Sequence, residues 1–261
     1  MKLNLVACEA PPADLRELYF LALGEPQVHY LEKRVAAARA FRFGGAEPEN
    51  GGYLAVHDGA VVEFFAGAGW LPRFSEAFHA AAAQAGAASA IVKSYDAQAL
   101  VAVAGRPTRV ASIGVNCTAW SDERYDPPPG FDSRAGAVGD RDLIAAIGPG
   151  LFETPEEMMS DLEAGRIRVF ELDGEAVGCG VLSPVREGAD AYDLGVGVLP
   201  AWRRKGVGEQ IVRRLKIDCL RQLGVRPTCG CAVENLASRR TLEKAGFLTR
   251  HRLLEFRWES Q

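Results

Sequence analysis

"LPAWRRKGVGEQIV", residues 199–212, sets three cations, Arg203, Arg204 and Lys205, directly before Gly206 and Gly208 and an apolar-periodic run. Val207, Ile211, Leu215 and Cys219 then fall on one stripe of a helix starting near Gly206 and closed by Gly224. A helix N-terminus leaves N–H groups unpaired and carries a partial positive charge, so an anion is stabilised there. Glycines let the backbone approach such a ligand without a Cβ in the way. Together with the cations the turn suits a pyrophosphate. Other phosphate loops fit less well. A P-loop needs Gly-Lys-Ser/Thr, which the chain lacks, and G-x-G-x-x-G needs a third glycine where Ile211 stands.

Working outward, "RIRVFELDGEAVGCGVLSPV" (166–185) reads as a hairpin around Asp173-Gly174, and "AYDLGVGVLP" (191–200) as a strand ended by Pro200. "DRDLIAAIGPG" (140–150) and "TPEEMMSDLEAG" (154–165) read as short helices, the second capped by Thr154 with Pro155 first. "TCGCAV" (228–233) is a strand, "LASRRTLEKAG" (236–246) a helix and "HRLLEFRW" (251–258) a last strand. That alternation predicts an α/β (α+β) fold, a mixed sheet covered by helices.

The first half repeats the pattern. Helices are expected over "PADLRELYFLAL" (12–23), "VHYLEKRVAAARAF" (28–41), "RFSEAFHAAAAQAG" (73–86) and "AQALVAVAG" (97–105). "GGYLAVHDGAVVEFFAGAG" (51–69) is a hairpin around Asp58-Gly59; "ASAIVKSYD" (88–96) and "TRVASIGV" (108–115) are strands. Both halves end strand, helix, strand, helix, strand, and both carry Leu-Pro at a strand-to-helix turn, Leu71-Pro72 and Leu199-Pro200. An internal duplication follows, with two unrelated α/β modules as the alternative. "SDERYDPPPGFDS" (121–133) reads as a stiff linker, which puts one domain at 1–126 and the other at 131–261. Where the second half has its two glycines the first has Glu76 and Phe78, so the first half is expected to bind no pyrophosphate.

A second motif follows the first. In "VENLASRRTLEKAGF" (233–247), Asn235 ends a strand and a short helix leads to Glu243-Lys244-x-Gly246-Phe247, with Ser238 between. With Arg203, Gly206 and Gly208 in R-x-x-G-x-G, these residues resemble the GCN5-related N-acetyltransferase (GNAT) family over about residues 131–256. The resemblance implies two GNAT-like mixed β-sheets covered by helices, the first a degenerate copy. It implies a co-substrate, acetyl-CoA or another acyl-CoA, with its diphosphate on the N–H groups of Arg203, Arg204, Lys205, Gly206, Val207 and Gly208. The pantetheine arm would pair with main-chain groups near Val196 and Val198. Asn235 and Ser238 would touch it from the other side. Gly195 and Gly197 fit a bulge or a close backbone approach in that strand.

The implied reaction is attack of an amine, small-molecule or peptide, on a thioester, with a strand N–H near Val198 stabilising the oxyanion. A lysine-like amine is neutral in only about one molecule per thousand at pH 7, a barrier of ~4 kcal/mol, so a base matters. Asp193 is the candidate base, with a solvated strand-end carboxylate as the competing reading; either Tyr192 donates the proton to the leaving thiolate or the thiolate leaves and is protonated by water. Many members carry a Tyr where this chain has Leu242. An acyl-CoA-binding regulator without chemistry is therefore the alternative function.

The net charge of -4 argues against a nucleic-acid binder resting on a broad basic surface. No apolar run approaches the ~18 residues of a membrane helix, and "MKLNLVACEAPP" offers too short an apolar core for a signal peptide. A cytoplasmic protein is expected, and a homodimer is compatible with the sequence. Six cysteines and four scattered histidines make no zinc spacing, so no metal is expected; Cys229 and Cys231 read as small strand hydrophobes.

Overall fold

The computed structural model describes residues 3–104, 109–121, 124–148 and 150–258. Gly105 and Thr108 at the ends of two expected elements, Asp122 and Glu123 of the expected linker, and Pro149 of the first short helix lie outside them. The chain divides into two compact units. One holds the residues up to Asn116, Ala232–Glu234 and the chain from His251 on; the other holds Cys117–Cys231 and Asn235–Arg250.

The second unit contains β7 (Ala119–Trp120), β8 (Phe131–Ala135), α5 (Arg141–Ala145), α6 (Pro155–Glu163), β9 (Ile167–Leu172), β10 (Glu175–Pro184), β11 (Ala191–Val198), α7 (Val207–Ile217), β12 (Arg226–Ala232), α8 (Leu236–Lys244) and β13 (Phe247–Leu248). Its strands run β8-β9-β10-β11-β12, antiparallel except for the parallel pair β11–β12, and β13 pairs with β7 separately. The expected stripe holds: Val207, Ile211, Leu215 and Cys219 are all buried, with Phe170, Leu194, Cys229 and Leu242. Each large side chain so buried contributes about 1.5–3 kcal/mol. On the other face Ile144, Ile147, Met158 and Leu162 pack on Ile167, Cys179 and Val181. Thr154 caps α6 as expected, accepting from Glu157 N–H at 3.1 Å.

The first unit contains β1 (Val6–Cys8), α1 (Ala13–Leu23), α2 (His29–Ala36), β2 (Arg39–Gly44), β3 (Gly51–His57), β4 (Ala60–Ala66), α3 (Phe74–Gln84), β5 (Ser89–Lys93), α4 (Ala97–Val103), β6 (Arg109–Cys117, its last residue in the other unit) and β14 (His251–Arg257). Its order is β1-β2-β3-β4-β5-β14-β6, again with one parallel pair, β4–β5. From β1 to β5 and from β8 to β12 the elements follow one another identically: strand, two helices, three antiparallel strands, helix, parallel strand. Each is followed by a helix, α4 and α8. The second unit thus has the same element order as the first.

Three expectations change. The helix expected to run to Phe41 stops at Ala36, because "RAFRFG" alternates and pairs with β3 as β2. The strand β8 falls inside and just past the expected linker, where "FDSRA" offers only Phe131 as a large apolar residue. The chain from His251 does not belong with the second unit, as the boundary 131–261 had it: β14 lies between β5 and β6, and the buried Leu253 and Phe256 join the first unit's cores.

Candidate active site

β11 pairs with β10 along its length, from Tyr192 opposite Pro184 to Val198 opposite Gly178. With β12 it pairs only at Ala191, Tyr192 and Asp193, opposite Arg226, Pro227 and Thr228. Both strands continue past that third rung, so they open into a fork. Leu199 N–H donates to the Val177 carbonyl at 3.0 Å. Antiparallel ladders alternate between bonded and non-bonded pairs, so Gly197, Gly195 and Asp193 bond to β10. Leu194, Val196 and Val198 therefore turn their N–H and C=O groups toward the fork. The strand N–H groups singled out for an arm are thus the outward-facing ones.

At the head of the fork the chain turns through Pro200–Trp202. Arg204 (φ 61) and Gly206 (φ 84) both adopt the left-handed backbone. Gly206 serves that turn and opens on free space, whereas Gly208 serves packing: a Cβ there would stand 3.2 Å from Thr241 Cγ2 and 3.4 Å from Val198 Cγ2. α7 begins without a side-chain cap, unlike α6 and α8. Its first N–H groups point out beside the exposed Arg204, Lys205 and Gly206. Lys205 Nζ lies 4.8 Å from the Trp202 ring centre. Glu209, the one carboxylate in the first turn, bonds Arg213 Nε at 3.0 Å. The Arg203 Nε donates to the Val198 carbonyl at 3.1 Å and its second terminal nitrogen to the Ile147 carbonyl at 2.5 Å.

On the far prong, Asn235 caps α8 by accepting from Ser238 N–H at 3.0 Å. Cys231 sits beside them, half-buried, its Sγ 3.9 Å from the Asn235 carbonyl. Burial pushes its thiol up, so at neutral pH it is no thiolate nucleophile. None of the six cysteines is in a disulfide.

Tyr192 and Asp193 lie on opposite faces, as neighbours in a strand must. Asp193 shares the α5–α6 face with Gly195 and Gly197. Thr228 Oγ1 stands 3.4 Å from its Oδ1 and 3.2 Å from the Tyr192 carbonyl. Tyr192 packs against the α7-side core with Val196 and Val198, so the two candidate proton carriers do not meet. Leu242 is 2% exposed within that same core and offers no hydroxyl in its place. Gly195 and Gly197 mark no bulge. A Cβ on Gly197 would lie 2.8 Å from Ile147 Cγ2 and one on Gly195 3.0 Å from Leu151 Cδ1. The close approach is by apolar side chains from the α5–α6 connection, Ile147 and Leu151, which the sequence pattern did not single out.

The first unit has the same fork, with parallel rungs at Ala60–Ser89 and Val61–Ala90. The face corresponding to Asp193 is filled by a buried charged cluster. Arg16 clamps Glu63 and Glu32, Tyr53 and Gln27 donate to Glu63, and Lys93 meets Tyr19, Gln27 and Asp96. Burial pushes the Lys93 amine down, against the pull of Asp96 and Glu63. Phe78 is buried against Phe64 at 5.0 Å between ring centres.

Residues 141–247 match the family model described as the acetyltransferase (GNAT) family. Over that stretch the chain is similar to the GNAT family. The tandem GNAT fold extends over the whole chain. A GNAT-family acetyltransferase from Colwellia psychrerythraea aligns with 98% of this chain and 100% of its own, with TM-score 0.80 and 16% identity. A GCN5-related N-acetyltransferase from Sphaerobacter thermophilus covers 98% and 95% (TM-score 0.59, 16% identity). A tandem GNAT protein from the clavulanic acid biosynthesis pathway covers both chains fully (TM-score 0.58, 14% identity). No curated protein matches the chain significantly. Among the described residues no helix is long and apolar enough to cross a membrane, and no three His, Cys, Asp or Glu gather as metal ligands.

Proposed function

We propose that the second repeat transfers an acyl group, acetyl in the first instance, from an acyl-CoA to a primary amine of a small molecule or peptide. The carrying observation is the fork between β11 and β12, headed by the uncapped, glycine-bearing start of α7. The turn 203–208 supplies N–H donors and the charges of Arg204 and Lys205 to a diphosphate. Val196 and Val198 supply main-chain groups to a pantetheine arm, and Asn235 and Ser238 flank it on the far prong.

Holding thioester and amine together supplies much of the rate. Asp193, at the crotch of the fork, takes the amine's proton. Three residues of strand span about 10 Å and five about 16 Å, so an Asp193 base calls for the oxyanion donor at Val196 rather than Val198. Tyr192, turned to the other face, leaves the departing thiolate to be protonated by water; a thiol pKa near ~8.5 tolerates this. The first repeat, with Glu76 and the buried Phe78 in the place of the glycines, binds no CoA.

A second reading, an acyl-CoA-binding regulator, is favoured by one observation: the buried Leu242 provides no acid. Release of free CoA thiol from acetyl-CoA across an amine panel tests the choice. Amine-dependent release supports the transferase; saturable binding with no release from any amine supports the regulator.

A further inference from the structure

Arg203 opens the basic run, and its guanidinium spans two carbonyls. One, that of Val198, ends β11; the other, that of Ile147, ends the turn that follows α5. Cations are favoured at such a helix C-terminus because the last carbonyls lack partners. We infer that Arg203 is a positioning residue that ties the diphosphate turn to the 144–151 segment, so that filling the turn tightens the α5–α6 face of the fork, on which Asp193 lies. The inference rests on the acyl-CoA reading above and adds a coupling between the two halves of that site.

Three observations converge on it. The segment rests on β11 through two apolar feet, Ile147 on Gly197 and Leu151 on Gly195. Among its described residues, Ala146 N–H donates to the Asp142 carbonyl at 3.0 Å, Ile147 N–H to the Ile144 carbonyl at 3.1 Å and Gly148 N–H to the Ala145 carbonyl at 3.0 Å, each within one turn. Gly148 and Gly150 flank the connection in left-handed conformations with nothing within 4 Å of where a Cβ would be. Arg203 therefore supplies a polar anchor to a segment otherwise seated by apolar contacts. A guanidinium carries five N–H donors. Two are used here, which leaves three for an anion in the adjoining turn. A diphosphate that orders this side chain also orders what it holds, and by linkage a held segment favours the diphosphate.

Hydrogen–deuterium exchange on the full chain, free and with saturating acetyl-CoA, tests this. In the free chain Arg203→Ala is expected to speed exchange in residues 144–151 about tenfold. Arg203→Lys, which keeps a donor, should recover part of that protection, and Arg204→Ala should leave the segment as in the wild type. With acetyl-CoA, the wild type should gain about fivefold protection in both the turn and the segment, and Arg203→Ala in the turn alone. Equal exchange of the segment in the free wild type and Arg203→Ala overturns the tether. Equal acetyl-CoA protection of the segment in both overturns the coupling. If acetyl-CoA protects neither region of the wild type, the acyl-CoA reading fails and the coupling with it, while the free-chain comparison still decides the tether.

Discussion

Gly197 and Ile147 meet so closely that a single added methyl would bring carbons to 2.8 Å. The side chain of Leu151 closes in on the same spot at 2.9 Å. Gly197→Val must displace the α5–α6 connection or the strand. Overpacking of this kind costs about 1–3 kcal/mol. Denaturant unfolding should show a lowered midpoint, and an unchanged midpoint would mean that the connection lies elsewhere.

Asp193→Asn removes the one carboxylate at the crotch of the fork while keeping its shape and its bond from Thr228. Loss of a positioned base lowers turnover about 10²–10⁴-fold. With an amine substrate in hand, the variant should keep its acetyl-CoA affinity and lose kcat. A variant retaining full kcat would return Asp193 to a solvated strand-end carboxylate.

Asp140 accepts from both terminal nitrogens of Arg134, at 2.7 and 2.8 Å, and from Ala137 N–H at 2.9 Å. The Arg134 bonds hold its carboxyl below the ordinary range. A native value below the unfolded one stabilises the fold above the unfolded pKa, and this is lost as pH falls through the native one. Asp140→Asn should therefore cost about 1 kcal/mol at pH 7, with the gap to wild type closing below pH ~4. Thermal unfolding across pH checks this; a gap independent of pH would contradict it.

The turn at 199–212 was legible because several local signals agree there: a proline stop, two glycines with separate tasks, three cations and a 3.6-residue apolar stripe. The roles within it were less so. Nothing in one dimension shows that Arg203 spends its donors on the carbonyls of Val198 and Ile147, or that Gly195 and Gly197 make room for side chains 44 and 50 residues upstream. β8 escaped because an edge strand needs no alternating apolar face, and β2 because "RAFRF" also fits a helix. β14 was recognised as a strand, but its partners are fixed by tertiary pairing and not by neighbours in sequence.

Leu253 is 7% exposed and Phe256 9%, both within the first unit's cores. Leu253→Asp buries an unpaired charge between β5 and β6, a change that costs several kcal/mol. Hydrogen exchange should rise first in β5 and β6, although the substitution lies near the chain's C-terminal end. Loosening confined to β9, β10 and β11 would contradict the assignment of β14.

The central claim is that a diphosphate docks on the turn from Arg203 to Gly208, and calorimetric titration of the full chain with acetyl-CoA tests it most directly. Gly206 is left-handed and exposed, so Gly206→Asn keeps a tolerated conformation while Gly206→Glu adds a repelling charge. The wild type should bind, Gly206→Asn should stay within about tenfold, and Gly206→Glu should lose about a hundredfold or more. No heat from the wild type, or equal affinity for Gly206→Glu, would contradict the account.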